Sequence, residues 1–202
     1  MERRLTTVLS ADVAGYSRLM GVDEDGTLGE LKTRHDLYVA PLLARHGGRL
    51  IKQMGDGFLA EFASVVNAVH FAVDVQAAAD QRNAEVPEAL QMRLRVGINL
   101  SDVIADQNDV YGDGVNVAAR LQALSEPGGV CISETVYQHV NRHLSYNFED
   151  LGKQRLRNIS GAVQVYRLRP NAGGAPGARR KSGEGHEASI VVLPFANMSP
   201  DP

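Results

Sequence analysis

Apolar and small side chains run almost without interruption from Leu5 to Val13, which predicts a buried strand, and Gly15 then lets the chain turn into a helix beginning at Tyr16 or Ser17. Leu28, Leu31, Tyr38 and Leu42 recur at helical spacing, so residues 24–46 read as one long helix, kinked at Pro41 and stopped by Gly47-Gly48. Residues 49–54 and 58–62 read as two strands joined by a hairpin turn at Asp56-Gly57. Ser64 is placed to cap an alanine- and valine-rich helix that runs to Asn83. Alternation over 92–99 predicts a strand, with a second at 102–105. Beyond a polar turn at 106–109 and the triplet Val110-Tyr111-Gly112, a helix covers 114–124 and Pro127-Gly128-Gly129 closes it. A short strand at 130–132, a short helix at 134–140 and a last strand at 163–168 complete the pattern. This order of elements predicts a layered α/β or α+β sheet rather than a bundle or barrel.

Composition narrows the functional classes. The chain has 202 residues, 44% of them hydrophobic, enough for one ordinary domain with appendages. A net charge of -3 supplies no basic field for nucleic acid, so no nucleic-acid partner is expected. Cys131 stands alone and reads as a small buried hydrophobe rather than a disulfide or zinc ligand. The most apolar stretch, Val65 to Ala79, is broken by Asn67, His70, Asp74 and Gln76, and Met1-Glu2-Arg3-Arg4 leads straight into a strand pattern. No membrane association is expected, and the location expected is cytoplasmic. Residues 1–169 hold the patterned domain, and 170–188 read as a Gly/Ala/Pro-rich linker. Residues 189–202 read as the truncated start of a further C-terminal domain, expected to be regulatory.

Two aspartates stand where strands end. Asp12 closes the first strand and Asp56 sits in the hairpin turn, and neither position suits a core residue. Oxygen ligands in such a pair suit Mg2+ or Mn2+, with phosphates and water completing the shell, although most turn carboxylates hold nothing. Gly15-Tyr16-Ser17 would set free backbone N–H groups and a helix start beside Asp12, where a phosphate could dock. Lys52 lies four residues before Asp56, so strand alternation puts both on one face. Asn116 and Arg120, at i and i+4 on a helix, would either grip one anionic or sugar-like ligand or form a solvated polar stripe.

Ala11 to Ser17, Ile51 to Gly57 and Asp109 to Arg120, with Arg95-Val96-Gly97-Ile98-Asn99 between them, resemble in order and spacing the signature motifs of class III nucleotidyl cyclases, over residues 4–169. The resemblance implies an α+β fold with a palm-like, ferredoxin-like sheet flanked by helices. It also implies an adenylate cyclase that converts ATP to cyclic AMP and pyrophosphate. By that resemblance Asp12, Asp56 and the Val13 carbonyl hold two divalent cations, Mg2+ or Mn2+, and Gly15, Tyr16 and Ser17 lie against the phosphates. Lys52 and Asp109 read adenine, where guanine-specific members carry glutamate and a cysteine or other small residue. Asn116 orients the ribose and Arg120 stabilises charge growing on the α-phosphate. The family builds each site from two protomers, and this chain carries both residue sets, which implies a homodimer. Ser101 stands where relatives often have glycine, and the triphosphate lysine has only Arg155 and Arg157 nearby as counterparts. A catalytically silent nucleotide-binding or dimerising module is the alternative. A diguanylate cyclase is disfavoured because its Gly-Gly-Asp/Glu-Glu-Phe signature is absent.

Overall fold

The computed structural model describes residues 2–106 and 109–169. The linker and terminal segment expected beyond residue 169, and two residues of the turn at 106–109, lie outside the described residues. Eight strands form one sheet, ordered β2-β3-β1-β4-β6-β8-β7 with β5 paired to β4. They are β1 (Glu2–Val13), β2 (Gly48–Met54), β3 (Gly57–Phe62), β4 (Leu94–Asp106), β5 (Asp109–Tyr111), β6 (Val130–Ser133), β7 (Asn147–Arg155) and β8 (Ala162–Arg169). Between them run α1 (Tyr16–Val22), α2 (Glu24–Arg34), α3 (Ala40–Arg45), α4 (Val65–Asn83), α5 (Asp113–Leu124) and α6 (Glu134–Val140). This is an α+β sheet flanked by helices, one of the two arrangements the patterning allows and the one the resemblance implies.

Alternation along β1 divides the core between two faces. Leu9, Ala11 and Val13 point into the main core, where Phe71, Ala72 and Val75 of α4, Val136 of α6 and Leu19 of α1 cover them. Val8 points to the other face and packs with Leu59, Val103, Val110 and Ala118, so α5 covers that side. Two positions on β4 let α5 sit close. A Cβ on Gly97 would lie 2.2 Å from the Gln122 nitrogen and 2.3 Å from the Ala118 oxygen. The Asn99 side chain donates to the Gly114 carbonyl at 3.0 Å, tying the first turn of α5 to the sheet.

Several elements differ from the patterning. The helix expected over 24–46 is interrupted by a π-helical turn at His35–Val39. Pro41 has no N–H to continue the ladder, and the wide turn immediately before it, closed by the Ala40 N–H on the His35 carbonyl, absorbs the mismatch. The strands expected at 92–99 and 102–105 are one strand, because Leu100 and Ser101 continue the ladder opposite Thr7 and Thr6 of β1. Strand β7 carries no clear apolar alternation. It is an edge strand whose register shifts between Asp150 and Lys153, with Gly152 at φ +72°. The hairpin turn falls on Gly55-Asp56, with Gly57 already paired to Met54.

Candidate active site

Asp12 closes β1 on the face that α5 covers, since Val8, Ser10 and Asp12 alternate together and Ser10 stands opposite Gly97. The β2–β3 turn brings Asp56 to it. The Val13 N–H donates to Asp56 Oδ2 at 3.2 Å, and β3 approaches so closely that a Cβ on Gly57 would lie 2.5 Å from the Ala11 carbonyl. Only glycine fits there without displacing the turn. Burial pushes the Asp56 carboxyl above the ordinary carboxylate range, and the negative charge of Asp12 pushes it further. Two carboxylates held together, with burial acting against the charge of Asp56, suit a divalent cation, and the Val13 carbonyl belongs to the same strand end. Among the described residues no group of three or more His, Cys, Asp or Glu side chains is placed to hold a metal ion. The oxygen set therefore amounts to two carboxylates and backbone, to be completed by ligand and water.

Arg95 adds a group that sequence reasoning missed. The antiparallel register sets it opposite Asp12, and its guanidinium forks onto both carboxylate oxygens, Nε to Oδ1 at 2.9 Å and Nη2 to Oδ2 at 2.6 Å. These hydrogen bonds raise the guanidinium pKa still further. The signal was available, because Arg95 is the polar member of an alternating strand, but only the pairing register shows that it faces Asp12.

Lys52 and Asp56 do not share a strand face. Strand β2 ends at Met54, and the position of Asp56 in the turn beyond it ends the alternation on which that expectation rested. Lys52 stands opposite Leu59, on the α5 side, and its Nζ lies 2.9 and 2.8 Å from the two oxygens of Asp109 on β5. The Lys52 ammonium holds the Asp109 carboxyl below the usual range, and Asp109 in turn raises the Tyr111 phenol. Lys52 Nζ also lies 5.7 Å from the centre of the Tyr111 ring, which is half exposed. A donor, an acceptor and an aromatic face thus converge at one place, a combination able to read the edge and plane of a heterocycle.

Asn116 and Arg120 lie on α5, with Asn116 exposed and without a side-chain hydrogen bond. Arg120 Nε donates to the Arg157 carbonyl at 3.1 Å, in a loop where Asn158 takes φ +61°. No hydrogen bond or ion pair joins either residue to Asp12 or Asp56. Gly15, at φ +68°, starts α1, leaving Tyr16 partly packed on the core and Ser17 exposed beside the strand end. The structure therefore forms the Asp12–Asp56 and Lys52–Asp109 pairs and leaves Asn116 and Arg120 apart from the carboxylates.

Comparisons with known proteins give the family. Residues 4–170 match the family model described as adenylate and guanylate cyclase catalytic domain. A putative adenylate cyclase 3 of Rhizobium meliloti is 41% identical over 210 residues, which span 100% of this chain and 35% of that protein. An adenylate cyclase of Streptomyces coelicolor is 33% identical over 144 residues, 70% of this chain and 35% of that protein. The chain thus spans about a third of the length of these relatives. The solved structure of an adenylate/guanylate cyclase/hydrolase from Silicibacter pomeroyi superposes with a TM-score of 0.78 at 41% identity, covering 85% of this chain and 100% of that one. With the motif residues gathered at the end of β1, in the β2–β3 turn and along β5 and α5, this chain belongs to the class III adenylate and guanylate cyclase catalytic-domain family.

Proposed function

We propose that the chain is an adenylate cyclase catalytic domain that closes ATP to cyclic AMP, with loss of pyrophosphate, at composite sites of a homodimer. The observation that carries the choice of base is the Lys52–Asp109 pair, a ready donor and acceptor beside the Tyr111 ring. An adenine edge offers an amino donor and a ring-nitrogen acceptor to that pair, whereas guanine reverses the complement at the same edge. The adenylate cyclases among its relatives support the same choice.

In this reading Asp12, Asp56 and the Val13 carbonyl hold Mg2+ or Mn2+, two per site. Bound there, the cations lower the pKa of the ribose 3'-hydroxyl and neutralise phosphate charge. The chain supplies the rest. Gly15, Tyr16 and Ser17 place backbone N–H groups at the strand end for the phosphates. Asn116 fixes the ribose so that its hydroxyl lines up with the α-phosphorus, and Arg120 donates to the phosphoryl oxygens as charge grows on them. The hydroxyl oxygen gives up its proton to water and forms the new bond to phosphorus as the bond to the pyrophosphate oxygen breaks.

Asn116 and Arg120 stand apart from the carboxylates within one chain, and this supports a second copy as the source of the other half of each site. Among the described residues no helix is long and apolar enough to cross a membrane. The test is cyclic AMP formation from ATP with Mg2+ or Mn2+, followed by mixing Asp56→Ala with Arg120→Ala chains. Each variant alone is inactive, and the heterodimer regains one working site. Absence of turnover in a dimeric wild type would leave a silent nucleotide-binding module, the reading favoured by the hold of Arg95 on Asp12.

A further inference from the structure

A cavity of about 430 Å³ lies between the helical segment that includes Leu28, Leu31, Arg34 and Val39 and the Gly55–Phe58 hairpin. Its walls are largely apolar, with Leu31, Phe58, Met92 and Leu94 among them. A volume of this size falls within the usual range of small-molecule sites. Two successive wall residues carry buried nitrogens that make no hydrogen bond of normal geometry. Arg34 is only 3% exposed, and its Nε and Nη1 are used, on Glu30 Oε1 at 2.8 Å and the Met92 carbonyl at 3.2 Å. Its Nη2 is buried and makes no hydrogen bond of normal geometry, although the guanidinium lies close enough to the Tyr38 hydroxyl, also in the wall, to offset part of the burial that raises that phenol. His35 pairs through Nδ1 with Asp36 at 3.0 Å, and its Nε2 is buried and unpartnered. Both residues stand where α2 passes into the π-helical turn, a helix defect that recurs at functional sites.

At the Arg34 end the guanidinium shares its carboxylate with a second arginine. Glu30 is the only carboxylate paired with Arg34, and it is shared with Arg82, whose Nε and Nη2 reach it at 3.0 and 3.1 Å. Glu30 thus serves two guanidinium groups, and Glu85, 3.7 Å from Arg82, is a second carboxylate for Arg82 alone. Lys32 adds a further cation to the wall, while Asp36 and Asp56 are its carboxylates. A buried guanidinium nitrogen lacking an acceptor is costly, and a ligand oxygen removes that cost. A phosphate would ask for several donors and an aqueous mouth. One open guanidinium donor amid hydrocarbon walls matches a carboxylate on an apolar body.

We propose that this cavity is a binding site for a small apolar carboxylate, its head paired with Arg34 and its hydrocarbon body against Leu31, Phe58, Met92 and Leu94. Val13 and Asp56, which the cyclase reading gives to the metal, also border the cavity, but Arg34 and the four apolar residues proposed to hold the ligand have no role in that reading.

The test is calorimetric titration of the whole chain with cyclohexylacetate, beside its neutral isostere cyclohexylacetamide. The expected result is saturable binding of the carboxylate with a dissociation constant of about 0.1–1 mM, the amide binding about tenfold more weakly. Arg34→Met should abolish the preference for the carboxylate. Because Arg34 also braces Glu30 and Met92, Leu28→Trp serves as a second variant, filling the mouth from a 40% exposed position without removing a polar contact. It should abolish binding of both probes with the melting temperature of the free protein retained. Hydrogen exchange should slow at residues 35–39 and 55–58 on binding. No saturable binding up to about 10 mM, equal affinity for acid and amide, or unchanged affinity in Leu28→Trp would each overturn the proposal.

Discussion

Replacing Gly97 with alanine tests whether the closeness of α5 to the sheet governs both stability and chemistry. The added Cβ would lie 2.2 Å from the Gln122 nitrogen, 2.3 Å from the Ala118 oxygen and 2.8 Å from the Gln122 Cα. An ordinary contact needs roughly 3.4 Å, so the helix must retreat by about 1 Å. All three obstructing atoms are backbone of one helix, so no side-chain rotation relieves the clash. Overpacking of this kind costs about 1–3 kcal/mol, and the rigidity of the obstruction places Gly97→Ala at the upper end. The same retreat carries Asn116 and Arg120 with it, and a displacement of about 1 Å in positioning groups costs on the order of 100-fold in rate. Urea denaturation should show a lower midpoint with an unchanged slope, and cyclic AMP formation should fall even where the variant is fully folded. Gly29→Ala is the control, because a Cβ there meets nothing within 4 Å on an α2 position and should leave both readouts level or slightly improved. A Gly97→Ala protein with the wild-type midpoint and rate would refute the reasoning.

Arg95→Gln should tighten Mn2+ binding to the nucleotide-free protein about tenfold, because it removes the cation that occupies both oxygens of Asp12. Weaker binding, measured by the free Mn2+ resonance signal, would show instead that Arg95 prepares Asp12 for metal. Glu61, 6% exposed, is gripped by Arg4 at 2.7 Å and Arg49 at 2.7 Å. Burial raises its carboxyl, but the two arginines outweigh that and hold it below the usual range. Their stabilisation is therefore present above the unfolded carboxylate pKa and lost as pH falls through the lower folded value. Glu61→Gln should cost about 1–3 kcal/mol at neutral pH and much less in acid, checked by urea midpoints across pH. The pair Lys52→Glu with Asp109→Cys should lower the ATP-to-GTP rate ratio by about 10- to 100-fold, and an unchanged ratio would remove both residues from base reading.

The parts of the fold legible in the sequence were those where local chemistry and tertiary demand agree. A near-continuous apolar run exposed β1, the turn signal at Asp56-Gly57 exposed β3, Ser64 marked the start of α4, where its hydroxyl accepts the Asn67 N–H at 3.3 Å, and the glycine pair marked the end of α3. Strand β7 was illegible because an edge strand bears charge on both sides and owes its conformation to β8. The join of 92–99 to 102–105 was hidden for a related reason. Leu100 and Ser101 look like a break until β1 lies beside them. At the candidate site, the motifs named Asp12, Asp56, Lys52 and Asp109. The partnership of Arg95 with Asp12 depends on strand register, and that of Arg120 with the Arg157 carbonyl depends on a distant loop. Neither is written in local spacing.

The closed Lys52–Asp109 pair changes the kind of event that base binding would be. A purine entering this place does not add to open groups; it takes part in an exchange, in which an internal ion pair is given up for contacts with the base. Both partners are about one-third exposed, so the pair itself is worth little in water and the exchange is inexpensive for a base that meets both groups. A base that meets only one leaves the other charge stranded in a shrinking water layer. If the pair reads the base as proposed, discrimination would come from the penalty on the wrong base, and overall affinity would stay modest. Salt, which weakens the internal pair, should shift affinity for all nucleotides more than it shifts the choice between them.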